Sequence, residues 1–153
     1  MGNVRLGTML LAGAFALTAL PAGAVNVREC DDFTSNIQSL AEPWDQNAKV
    51  FLNGAVRIAL IDTGGEPVCC STHLIVLAQD KSDEHGGRTC RVISDKGTAG
   101  FEWIDFPNIR AGYDPARGLL LTVPVRYYID GIQHRNGVVR IGVNTRNGAI
   151  VAQ

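Results

Sequence analysis

Apolar residues recur at every second position through much of the chain. In LLLTVPVRYYI, residues 119–129, Leu119, Leu121, Val123, Val125, Tyr127 and Ile129 fall on one side of an extended strand. Leu120, Thr122, Pro124, Arg126 and Tyr128 fall on the other, so one face is predicted to be buried. Pro124 has no N–H to give to a ladder, which predicts a sheet edge or a bulge there. VVRIGV, residues 138–143, alternates in the same way, with Val139, Ile141 and Val143 together and Arg140 opposed. The two segments are expected to pair across a turn in DGIQHRNG, and TRNG then turns the chain into a last strand, AIVAQ. THLIVLA is apolar on both faces, which predicts a strand near the centre of a sheet. Its expected partner is VRIALI, reached through DTGGEP. FEWIDF and NIRAGY read as further strands, interrupted at Pro107.

The connections support this pattern. Asn53-Gly54, Thr63-Gly64-Gly65, His85-Gly86-Gly87, Asp130-Gly131, Asn136-Gly137 and Asn147-Gly148 are turn signals, because these residues tolerate positive φ. Short strands between such signals predict an all-β, mainly antiparallel domain, a small sandwich or barrel of about seven short strands. Near its start, Phe33, Ile37 and Leu40 have helical spacing, Asp31 or Asp32 is placed to cap, and Pro43 to stop. A short N-terminal helix, or an irregular arm pinned by Cys30, is expected to pack over the sheet.

Residues 1–24 have the form of a cleaved secretory signal peptide. Arg5 is followed by an apolar stretch from Leu6 to Leu20 and by Ala22-Gly23-Ala24, a small-x-small cleavage pattern. The stretch is shorter than the roughly 20 residues of a membrane span. Residues 25–153 are then one β-rich domain, periplasmic or secreted. The net charge of −1 gives no general attraction to nucleic acid, but its distribution is uneven. Residues 25–85 carry four basic and ten acidic side chains, and residues 86–153 carry nine and five.

Cysteine usage constrains the chemistry. Cys30, Cys69, Cys70 and Cys90 in an exported chain predict disulfides. A regular hairpin of residues 68–80 and 89–95 would put Cys90 opposite residue 78 or 79. Cys70 would then lie about 27 Å away at about 3.3 Å per residue, whereas bridged Cα atoms lie within about 7 Å. Either residues 81–95 leave the hairpin and cross to another layer, or Cys30 bonds Cys90 and the adjacent pair closes on itself. The rarity of bonds between neighbours favours the crossing, with Cys69 and Cys70 each taking one distant partner.

Other chemistry is thinly signposted. Cys69, Cys70, His73, His85 and Cys90 carry donor atoms for zinc or copper, but at no standard spacing, and oxidised cysteines do not ligate as thiolates. Ser71 lies near His73 without a Gly-x-Ser-x-Gly elbow. Asp62, Asp105 and Asp114 suit acid–base work by type but read more simply as turn formers. DTGGEP lacks the lysine and following helix of a phosphate loop. No catalytic, cofactor or metal residue is therefore assigned. Arg126 and Tyr128 share the solvent face of their strand, and Arg110, Arg135 and Arg140 extend a basic surface suited to an anionic partner. The expectation is a non-enzymatic module binding a protein or anionic envelope ligand, with no cofactor and no nucleic-acid partner. It would meet the membrane only through its leader. The alternatives are a metal-binding protein using Cys69, Cys70, His73 and Cys90, and a hydrolase with unidentified carboxylates.

Overall fold

A computed structural model describes residues 25–64 and 69–153. The signal-peptide reading, and part of the DTGGEP turn, lie outside the described residues. Ten strands are present among them: β1 (Asn26–Glu29), β2 (Ala48–Phe51), β3 (Val56–Asp62), β4 (Thr72–Gln79), β5 (Arg88–Ser94), β6 (Trp103–Ile104), β7 (Arg110–Asp114), β8 (Gly118–Asp130), β9 (Gln133–Asn144) and β10 (Ala149–Ala152). They form two antiparallel sheets. The first has the order β1-β5-β4-β3-β2, and the second β10-β9-β8-β6, with β7 also on β8.

The expected all-β sandwich is what the chain forms, because its alternation gives each sheet one apolar face. Val56, Ile58, Leu74, Val76 and Ile93 of the first sheet meet Leu119, Leu121, Val123, Val125, Val139, Ile141 and Val143 of the second in a single core. Each such side chain contributes about 1.5–3 kcal/mol by leaving water. Ile104 of β6 joins the same cluster, as do Phe101, Phe106 and Ile109 from the loops on either side of it. As predicted, β4 is the central strand of its sheet, and its run of apolar residues on both faces is buried.

Four local expectations are corrected. The strand count exceeds about seven because β1 and β2, four residues each, are too short to show alternation, and β5 forms the regular hairpin with β4. The N-terminal helix is replaced by two single 3-10 turns, Phe33–Ser35 and Ile37–Ser39. The carboxylate of Asp32 accepts from the Thr34 N–H, and the Asn36 amide oxygen accepts from the Gln38 N–H. Such short polar side chains compete with a continuing helix for backbone donors. The face of Phe33 and Ile37 is consequently not the buried one: they are 64% and 66% exposed, while Thr34 is buried.

The turn between β8 and β9 is also tighter than DGIQHRNG. It closes at Gly131-Ile132, with Asp130 opposite Gln133, and HRNG continues as strand. Gly137 serves a different purpose from turning: the Tyr127 ring lies over it, 2.6 Å from where a Cβ would stand. Finally, Ile129 is half exposed rather than buried, because the ladder slips between Tyr128 and Asp130.

Pro124 lies inside the second sheet yet breaks no bond. Its carbonyl accepts from the Asp105 N–H, so its nitrogen faces the same side, where the chain detours between β6 and β7.

Candidate functional site

The outer face of the first sheet holds Cys30, Cys90 and His73, and Cys69-Cys70 leads into β4. β4 and β5 form a regular hairpin in which Cys90 stands opposite Leu77, so residues 81–95 do not cross to another layer. Cys90 is instead bonded to Cys30, with their Cα atoms 5.6 Å apart. Glu29 pairs with Arg91, so Cys30 continues β1 straight into register with Cys90. The sulfurs of Cys69 and Cys70 are bonded to each other, and Cys70 adopts φ 92°. The expected pairing of each neighbour with a distant cysteine is thus overturned, because the hairpin carries Cys90 away from both.

The Cys30–Cys90 bridge anchors residues 31–47, which cross the outer face of the first sheet. Leu40 bridges to Ile61 and packs with Ile75, Val92, Leu77 and the bridged cysteines in a second small core. Beside it lies a buried polar chain. His73 Nδ1 is 2.9 Å from Ser94 Oγ. Arg28 reaches Ser94 Oγ at 3.4 Å and donates to Thr34 Oγ1 at 3.1 Å, and it pairs with Asp32. His73 is 1% exposed and Ser94 0%. Burial, with the Arg28 cation beside it, pushes the His73 pKa down to about 4, against a smaller opposing pull from Asp62.

This arrangement carries no accessible chemistry. The His73–Ser94 pair has the spacing of a base and a nucleophile, but both groups are sealed beneath the arm. The suggested metal set is not brought together. The Cys90 sulfur is bonded, His73 lies about 13 Å along β4 from the Leu77–Cys90 pair by strand rise, and His85 stands on an exposed loop. Among the described residues, no three His, Cys, Asp or Glu side chains form a metal-sized group. The three carboxylates are used locally. Asp62 accepts from Gly64 N–H, Asp105 from the Asn108 amide, and Asp114 from the Ala116 and Arg117 N–H groups and the Arg117 guanidinium. The hydrogen bonds from the Arg117 and Ala116 backbone and the Arg117 side chain hold the Asp114 carboxyl below its ordinary pKa.

Among the described residues, none covers the outer face of the second sheet. Cross-strand register places Arg110, Thr122 and Arg140 in one row across β7, β8 and β9. Arg140 is bonded through its backbone to Gln153. The next row, Gly112, Leu120, Gly142 and Val151, is low and apolar. Gly142 contributes no side chain, and Leu120, Val151, Arg117, Thr122 and Arg140 surround a depression of about 590 Å³. Farther along, Trp103, Arg126 and Asn136 form another row, and Tyr128 stands beside His134. The Arg126 guanidinium lies 5.3 Å from the Trp103 ring centre and 3.8 Å from Glu102, whose other oxygen is 3.1 Å from His134 Nδ1.

Three of the four arginines expected on a basic surface lie on this face, and the fourth does not. Arg110, Arg126 and Arg140 share this face with Arg117, which sequence reading missed. Arg135 does not: it stacks at 4.3 Å on the ring of Tyr127, a core residue of the opposite face. No family model, curated protein or solved structure matches this chain. The site's own geometry therefore carries the functional reading. Trp103, Glu102, His134, Leu120 and Gly142 also belong to the open face. Their only signal in the sequence was alternation parity within each strand, which assigns a residue to a face without saying which strand lies beside it.

Proposed function

We propose that this chain is an exported, non-enzymatic binding module that engages an anionic protein or envelope ligand through the outer face of its second sheet. The observation that carries this reading is the Arg110–Thr122–Arg140 row bordering an apolar depression. Two guanidiniums flanking a hydroxyl present planar donors for carboxylate or phosphate oxygens, and the adjoining floor of Leu120, Gly142 and Val151 offers apolar contact. Tyr128 and the Trp103–Arg126 stack extend the face with residue types that anchor interfaces. The Cys30–Cys90 bond is in keeping with an oxidising compartment, periplasmic or extracellular.

Two measurements test the reading. Cell fractionation with N-terminal sequencing is expected to find the protein outside the cytosol, beginning at Val25. Mature protein immobilised at low salt is expected to retain an anionic component of its own envelope fraction and to release it as salt rises. The pair Arg110→Glu and Arg140→Glu is expected to abolish that retention. Retention unchanged by the double substitution, or an intact leader on cytosolic protein, overturns the reading.

A further inference from the structure

The two disulfides of this chain have different uses. Cys30–Cys90 joins residues 60 positions apart, and both cysteines pack into the second small core. Cys69–Cys70 joins neighbours and belongs to neither core of the described residues. A bridge stabilises a fold mainly by closing a loop in the unfolded chain, and a bond between neighbours closes none of any length. The pair is half-buried at the entry to β4. A bond that does not hold the fold together and is within reach of solvent can be broken and remade without unfolding.

This bond does fix one local conformation. Cys70 has φ 92°, in the left-handed region that residues with a Cβ rarely adopt. While its side chain is tied to Cys69, the residue is held there. Once the bond is open, the preference of an L-residue for negative φ pulls it away.

The Cys70 carbonyl sits where β4 is tied to the chain entering the second sheet. The Gly100 N–H donates to it at 2.7 Å, and one step on the Phe101 N–H donates to the Thr72 carbonyl at 2.7 Å. Thr72 Oγ1 donates in turn to the Phe101 carbonyl at 2.9 Å. The two backbones approach so closely that a Cβ on Gly100 would stand 2.4 Å from the Thr72 oxygen and 2.7 Å from that of Cys70. On the same short segment Phe101 packs edge-on to Tyr127, with ring centres 5.6 Å apart, and the Glu102 N–H donates to the Arg126 carbonyl.

We propose that Cys69–Cys70 is a reversible redox site, reduced by a dithiol donor, whose state sets how firmly β4 holds Gly100 and Phe101. A donor thiolate attacks one sulfur of the pair, which breaks the Cys–Cys bond and forms a mixed disulfide, and the displaced sulfur takes a proton. The donor's second thiolate then attacks its own sulfur in the mixed disulfide. That releases the other cysteine, which also takes a proton, and leaves the donor as a disulfide. Two electrons and two protons pass to the pair. Loss of the fixed φ at Cys70 then loosens the acceptor of the Gly100 N–H.

The test equilibrates the mature protein in graded mixtures of reduced and oxidised dithiothreitol, followed by acid quenching, alkylation and peptide mass spectrometry. Cys69 and Cys70 are expected to be half alkylated at a reduced-to-oxidised ratio at least about tenfold lower than Cys30 and Cys90. In that window amide exchange is expected to quicken at Gly100 and Phe101 and to stay unchanged through the middle of β8 and β9. Two variants separate the bond from the backbone conformation. Cys69→Ser with Cys70→Ser is expected to exchange at Gly100 like the reduced protein. Cys69→Ser with Cys70→Gly is expected to exchange like the oxidised protein, because glycine keeps positive φ at little cost.

Reduction of Cys30–Cys90 before or together with the neighbouring pair overturns the proposal. Unchanged exchange at Gly100 on reduction overturns it too, as does equal exchange in the two variants. The titration uses the unaltered protein, so it decides the matter whether or not the variants fold.

Discussion

The two sheets of this sandwich contribute their inner faces to one core but treat their outer faces in opposite ways. The first sheet's outer face is covered by its own chain: residues 31–47 lie across it, held by Cys30–Cys90, and Thr34 of that arm is buried with Ser94 and His73, beside a half-buried Arg28. Among the described residues nothing covers the second sheet's outer face in this way, and its arginines, Trp103 and Tyr128 reach solvent there. Polar groups on the covered face therefore act on stability, because leaving one unpaired costs about 1–3 kcal/mol. Polar groups on the open face are solvated whether or not they are used, which leaves them free for recognition.

The sharpest way to break this contrast is to release the arm. Cys30→Ala with Cys90→Ala removes a bridge closing a sequence separation of 60 residues. Chain entropy alone predicts a loss of about 4 kcal/mol, to be read from urea unfolding. Little change would mean that the arm holds its place without the bridge.

Acid should act almost as strongly. His73 has a folded pKa of about 4 against an ordinary 6.5. Below pH 6.5 the unfolded chain gains a proton that the folded protein refuses. Its contribution is therefore complete above about pH 6.5, is lost as pH falls, and levels off below about 4. The total is about 3 kcal/mol. Unfolding free energies across that window should show the slope, and His73→Gln should flatten it.

The neighbouring bridge should matter less. Cys69→Ser with Cys70→Gly opens no long loop, and glycine tolerates the φ of 92° at position 70. Stability is expected to change by less than about 1 kcal/mol, so a larger loss would give this bridge a structural role comparable to that of Cys30–Cys90. Smallest of all on stability should be Arg140→Ala on the open face, within about 0.5 kcal/mol by thermal unfolding, even where anionic binding falls.

Much of the fold was legible before any coordinates. The alternation of residues 119–127 and 138–143 assigned the correct side chains to the core, and the doubly apolar β4 declared its central place. Spacing misled at Phe33 and Ile37, where helical period coincides with a chain that Asp32 and Asn36 cap into separate turns. Asn136-Gly137 misled as a turn signal because Gly137 instead makes room for the Tyr127 ring. Only part of the candidate face was named in advance, through Arg110, Arg126, Tyr128 and Arg140. Arg135 was misassigned by treating the basic residues as a set instead of following parity.

Local order of residues determined which side chains could share a face, because the pleat reverses direction at every residue whatever lies beside it. Tertiary structure alone decided which cysteine met Cys90, which outer face the arm covered, and which arginines stood in one row. Those outcomes depend on register between segments far apart in the chain and on what each face excludes from water, and neither quantity is a property of any single stretch.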